Sequence, residues 1–216
     1  MDTTGVTIEL GDAALEGDVA LPDEPAGMVL FAHGSGSSRH SPRNRAVAAG
    51  LHGAGFGTLL VDLLTEGEER RDAGLRFDIG LLTRRLVGAV DRLKEGLESA
   101  PHTSGLPIGL FGASTGAAGA LAAAAERPGE ITAVVSRGGR PDLAGPALEL
   151  VRAPVRLIVG GGDPQVLELN RQAGQRLAAV HDLQVVPGAS HLFEEPGALE
   201  KVTALAADWF LRHLSH

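Results

Sequence analysis

Ile108-Gly109-Leu110-Phe111-Gly112-Ala113-Ser114-Thr115-Gly116-Ala117-Ala118 runs from a short apolar segment, through a cluster of small residues, into an alanine-rich tract. Ile108–Phe111 reads as a strand. Thr115–Ala125 is almost entirely Ala and Gly, and predicts a slim helix able to lie close against a sheet. Between them sits Gly112-Ala113-Ser114-Thr115-Gly116. Gly-x-Ser-x-Gly alone is a weak signal. Strand, sharp turn and helix around it make a nucleophile elbow, which raises the serine at the carboxyl end of a sheet. Such a turn holds its serine in a strained backbone conformation, and side chains at the flanking glycines would crowd it. The plainer alternative is a glycine-rich turn with Ser114 as a helix cap.

Outward from this turn the pattern repeats. Met28–Ala32, Thr58–Val61, Ile131–Val135, Val155–Val159 and Leu183–Val186 are apolar runs of strand length. Continuous apolar runs suit strands buried on both faces. Thr7–Leu10 and Leu15–Leu21, split by Gly11-Asp12, predict an opening hairpin. Ile79, Leu82, Leu86, Val90, Leu93 and Leu97 form one helical stripe, with Asp78 placed to cap it. Leu199, Val202, Leu205, Trp209 and Leu214 mark a final helix, with Trp209 in the core. Strand–helix alternation implies an α/β fold with a mostly parallel sheet, and the hairpin adds antiparallel strands at one edge. With no internal repeat and no long linker, residues 1–216 are expected to form a single domain. Glu66–Asp72 reads as a solvated loop. Only 19 residues separate Val135 from Val155, with a short helix around Leu143–Val151, so no lid domain is expected.

The net charge of −8 argues against a general nucleic-acid binder and a polybasic membrane clamp. Cysteine is absent, which removes disulfides, thiolate nucleophiles and Cys-ligated metals. Neither a signal peptide nor a membrane-length apolar run is visible, so a cytoplasmic protein is expected.

Asp163 closes Val155–Gly162, a strand and a glycine-rich turn. His191 follows Leu183–Val186 through Pro187-Gly188-Ala189-Ser190. In a parallel sheet such loops gather at one edge, where ligands bind. The order Ser, Asp, His is that of an α/β-hydrolase triad. Ser114 would attack a carbonyl carbon, His191 would carry the proton, and Asp163 would orient and charge-stabilise the imidazole. Oxyanion donors are expected at the backbone N–H of Thr115, after the nucleophile, and of Ser35, in His33-Gly34-Ser35-Gly36 after an early strand. His33 is expected to buttress that loop. His33, His40 and His52 lack metal-like spacing, and no metal is expected.

The chain resembles the dienelactone-hydrolase-like branch of the α/β-hydrolase superfamily. It is most similar to serine-containing members that resemble the hydrolase portion of proteins fused to a phosphoribosyltransferase. The resemblance is carried by Phe31–Asn44, Phe111–Ala117, Val135–Asp142 and Pro187–Glu194. It implies an eight-stranded sheet flanked by helices, and ester hydrolysis without a cofactor. The family's triad falls on Ser114, Asp163 and His191, with serine where dienelactone hydrolases proper carry cysteine. A phosphoribosyltransferase portion is not expected within these residues.

Arg137 and Arg140, in Ser136-Arg137-Gly138-Gly139-Arg140-Pro141-Asp142, follow another strand end. They would either bind an anionic part of the substrate or pin the loop through an acid such as Asp142. Without a lid, the site should favour small esters over long-chain lipids. A thioesterase, small peptidase or acyltransferase could use the same triad. A non-catalytic binding protein could keep the fold. Oligomeric state is left open.

Overall fold

A computed structural model describes residues 2–214. Eight strands, β1 (Thr4–Glu9), β2 (Ala14–Ala20), β3 (Met28–Ala32), β4 (Gly57–Val61), β5 (Ile108–Ala113), β6 (Ile131–Arg137), β7 (Val155–Gly160) and β8 (His181–Val186), form one sheet. Their order is β1-β2-β4-β3-β5-β6-β7-β8. The β1–β2 hairpin joins the edge antiparallel to β4, and all other pairs are parallel. β3 to β7 are buried along nearly their whole length, which is why they read as unbroken apolar runs. All six parallel strands point the same way, so their carboxyl ends share one rim.

Helices α1 (Pro42–Gly53), α2 (Glu66–Arg71), α3 (Ile79–Glu95), α4 (Thr115–Glu126), α5 (Pro164–Arg176) and α6 (Ala198–His213) complete the α/β-hydrolase fold. One core, on the face covered by α3, α4 and α5, holds Leu82, Leu86, Val90, Leu121 and Ala173. The other, under α1 and α6, holds Val47, Leu51, Val202, Trp209 and Phe210. Asp78 caps α3 by accepting the Leu81 N–H.

Three local expectations need correction. The charged run is solvated but is not a loop: Glu66–Arg71 is helical. Thr65 and Glu68 form a reciprocal capping box at its start, and buried Arg85 donates to Glu68 Oε1 at 2.7 Å. The short helix is a 3-10 segment over Pro141–Leu150, broken where Gly145 takes φ 55 before Pro146. It is the only regular element between β6 and β7, so no lid domain is inserted there. Finally, α1 and α5 were not foreseen. Both begin with a capping side chain followed by proline, Ser41-Pro42 and Asp163-Pro164. That pairing is a helix-start signal legible in sequence.

Candidate active site

Ser114 lies between β5 and α4 at φ 51, ψ −121, a conformation that L-residues avoid. Its side chain makes no helix-capping bond, so the capped-turn alternative does not describe it. The strain is held by packing. A Cβ on Gly116 would stand 2.3 Å from the Ala32 carbonyl oxygen, and one on Gly112 would stand 2.4 Å from Ala117 Cα. The turn therefore sits flush against β3 and its own helix, which only glycine permits. The Ser114 N–H donates to the Arg137 carbonyl at 3.3 Å, and the Arg140 N–H donates to the Ser114 carbonyl at 3.0 Å.

The loops after β7 and β8 are laced together. The Gly161 N–H donates to the Val186 carbonyl at 2.9 Å, and the Gly162 N–H to the Ala189 carbonyl at 2.8 Å. This brings His191 to Asp163, and His191 Nδ1 donates to Asp163 Oδ2 at 2.8 Å. The other carboxylate oxygen, Oδ1, accepts the Val166 N–H at 3.2 Å as the cap of α5. Asp163 is thus both helix cap and imidazole partner, and the cap fixes its orientation. With Nδ1 engaged, Nε2 is the nitrogen left for proton transfer. Ser114 and His191 line one cleft of about 250 Å³ with Gly34, Ser35, Ser37, Ser41, Arg43 and Arg137. No hydrogen bond joins Ser114 to His191 among the described residues. Such contacts often tighten only around bound substrate.

His33 is buried beneath the early loop. The Leu63 N–H donates to its Nε2 at 3.2 Å, so that nitrogen holds a lone pair, and Nδ1 donates to the Gly34 carbonyl at 2.9 Å. Both ring nitrogens are engaged in holding the loop. The Ser35 N–H, expected to be a free oxyanion donor, is not free: it donates to Thr115 Oγ1 at 2.8 Å. Thr115 itself starts α4, where an N–H has no intrahelical acceptor. Its hydroxyl contact with Ser35 is the feature of this rim that sequence reasoning missed, because it spans 80 residues.

The two arginines separate. Arg140 is bound by Asp142 through a fork, Nε–Oδ1 at 2.9 Å and Nη2–Oδ2 at 2.7 Å, and it does not line the cleft. As a substrate-binding candidate it is corrected to a loop pin. Arg137 lines the cleft beside Ser114. A larger hollow of about 640 Å³ lies around Arg39, His40, Asp62 and Glu66, and contains none of Ser114, Asp163 and His191. Among the described residues no cluster of His, Asp and Glu could hold a metal, and no helix is long and apolar enough to cross a membrane.

The model of the dienelactone hydrolase family matches residues 15–215. The chain belongs to the dienelactone hydrolase family. This family lies within the α/β-hydrolases, whose fold the chain shares. A solved dienelactone hydrolase from Anabaena variabilis is 54% identical, with a TM-score of 0.95 over 99% of this chain and 98% of that one. Est1E from Butyrivibrio proteoclasticus shares the fold at 16% identity, with a TM-score of 0.79 over 96% of this chain and 98% of that one. Two relatives from Mycobacterium tuberculosis strains, provisionally named phosphoribosyl transferases, are 56% identical over 209 residues. Those 209 residues are 97% of this chain and 46% of each relative, so the chain spans about half their length.

Proposed function

We propose that this family member is a serine hydrolase of small carboxylic esters, working through an acyl-enzyme. The observation that carries this reading is Ser114 itself: an uncapped serine at φ 51, sharing a cleft with a histidine whose far nitrogen is bonded to a carboxylate. A strained residue at a cleft is a functional signal, since about 1–3 kcal/mol of strain persists only where the surroundings enforce it.

Ser114 Oγ attacks the acyl carbon while His191 Nε2 takes its proton. Asp163 stabilises the imidazolium that forms. The oxyanion receives the Thr115 N–H and the Thr115 hydroxyl proton. The Ser35 N–H acts through that hydroxyl, which accepts from it and is thereby polarised to donate onward. Collapse breaks the ester C–O bond, and the alcohol leaves with the proton from His191. Water then repeats the sequence on the acyl-enzyme. The cleft's small volume and the short connection between β6 and β7 support short acyl groups.

The test is labelling by a fluorophosphonate together with hydrolysis of p-nitrophenyl acetate. Ser114→Ala is expected to abolish labelling and lower kcat by about 10⁴–10⁶ while the protein stays folded. A wild-type protein that is neither labelled nor active would overturn the reading.

A further inference from the structure

Asn170 is completely buried in the middle of α5. It stands in the inward stripe of that helix, between Val166 and Ala173, both buried. An apolar residue would suit the position, and asparagine is a poor helix former. Its Nδ2 donates to the Val166 carbonyl at 2.8 Å and to the Gly139 carbonyl at 3.0 Å. Both neighbours are acceptors, which fixes the orientation of the amide. Its Oδ1 meets no protein donor among the described residues. A polar side chain that leaves one of its own atoms unpaired in the interior is not kept for stability, so its two donated bonds carry the reason for its presence.

Those two carbonyls belong to opposite halves of the candidate active site. Gly139 lies in the connection after β6, which holds Ser114 on both sides. The Arg137 carbonyl accepts the Ser114 N–H at 3.3 Å, and the Arg140 N–H donates to the Ser114 carbonyl at 3.0 Å. Val166 lies in the first turn of α5, where Asp163 Oδ1 accepts its N–H at 3.2 Å. Asp163 Oδ2 in turn accepts from His191. A continuous path therefore runs from Ser114 through Gly139–Arg140, Asn170 and Val166 to Asp163 and His191. Asn170 is the side chain that joins its two halves. The connection it grips is tightly seated. A Cβ on Gly139 would collide with Ser136 Oγ. Gly138, at φ 51, passes under the histidine: a Cβ there would stand 3.2 Å from the His191 carbonyl oxygen and 3.6 Å from its Cε1.

We propose that Asn170 is a positioning residue: its amide clamps the helix that carries Asp163 to the loop that carries Ser114, and so sets the gap across which His191 takes the proton of the nucleophile. This rests on the serine-esterase reading. Asn170 does not line the cleft, so it acts through its neighbours. Ser114 follows β5 and Asp163 follows β7, with β6 between them in the sheet. The laced loops fix His191 on Asp163, and the clamp fixes that pair on Ser114. A shift of about 1 Å at a reacting centre costs about 10²-fold in rate, and loss of the clamp frees the two halves to move by that much.

The experiment compares three variants on p-nitrophenyl acetate. Asn170→Leu keeps the volume and removes both donors. Its melting temperature is expected within about 4 °C of wild type, because an apolar stripe offsets the lost bonds. Its kcat is expected to fall by about 30- to 100-fold with KM within about threefold, and fluorophosphonate labelling to slow by the same factor as kcat. Asn170→Ser can bond the Val166 carbonyl within the helix but is too short for Gly139, and the same kcat loss is expected. Ala173→Gly, three residues further along α5, is the control: it lowers the melting temperature by about 2–4 °C and leaves kcat unchanged. A folded Asn170→Leu or Asn170→Ser enzyme within about threefold of wild-type kcat, or an equal kcat loss in Ala173→Gly, overturns the inference while leaving the esterase reading intact. Amide hydrogen exchange reads the clamp without turnover. The Ser114 and Arg140 N–H groups are expected to exchange about tenfold faster in Asn170→Ser than in wild type or Ala173→Gly. Unchanged exchange refutes the clamp, and this arm holds even if Asn170→Leu fails to fold or Ser114 is not the nucleophile.

Discussion

Replacing Thr115 by valine tests the most specific feature of the proposed oxyanion site. The substitution keeps shape and removes one oxygen. That oxygen accepts the Ser35 N–H at 2.8 Å and sits on a buried residue at the start of α4. Two consequences follow from its loss. The first is thermodynamic. The Ser35 N–H is left facing a methyl group, and an unpaired polar group near the interior costs about 1–3 kcal/mol. For a protein of this size each kcal/mol lowers Tm by about 2–4 °C. The second is kinetic. If the hydroxyl is a donor to the developing oxyanion, its removal costs about 10²–10³ in kcat, with KM little changed, because the bond matters in the transition state. Thr115→Ser keeps the hydroxyl and should recover activity to within about tenfold of wild type. The assay is steady-state hydrolysis of p-nitrophenyl acetate, alongside a thermal melt. A folded Thr115→Val enzyme with kcat equal to or above wild type would refute the reasoning. It would mean that the Ser35 N–H stabilises the oxyanion directly and that the threonine hydroxyl only occupies it.

The double duty of Asp163 can be split. Asp163→Asn retains a good cap and should leave Tm nearly unchanged while kcat drops by about 10⁴, whereas Asp163→Ala should lose a further ~1 kcal/mol of stability; an Asn variant within tenfold of wild-type kcat would remove the carboxylate from the mechanism. At Glu68, alanine both opens the capping box of α2 and takes the nearer partner from Arg85, whose side chain is 2% exposed. Asp12 remains 3.5 Å away, so a loss of about 3 kcal/mol in urea unfolding is expected, and a loss below about 1 kcal/mol would show that Arg85 is satisfied without Glu68.

The proposed chemistry depends on convergence at a rim. Ser114 follows β5, Asp163 follows β7, His191 follows β8, Ser35 follows β3, and Arg137 ends β6. Because these strands are parallel, five separate connections are delivered to one edge, each fixed by a ladder of backbone bonds. The scaffold then refines each position locally: glycine contacts at the elbow, laced loops under His191, and an engaged imidazole at His33 holding the early loop.

Much of this was legible along the chain. The strand centres, the edge hairpin, the capped helix after Asp78 and the elbow at Ser114 all follow from apolar period, glycine placement and capping chemistry, which neighbouring residues specify among themselves. The Thr65-x-x-Glu68 box and the two cap–proline starts are equally local signals, masked by dense charge and weak apolar stripes. What sequence could not supply was the partner of each polar group. That Arg140 takes Asp142, that Asn170 takes the Gly139 carbonyl, and that the Ser35 N–H spends itself on a hydroxyl 80 residues away are facts of strand order and register. Covalent neighbours set which element forms; which charges and donors stay unpaired depends on how distant strand ends are brought side by side, and only the assembled sheet decides that.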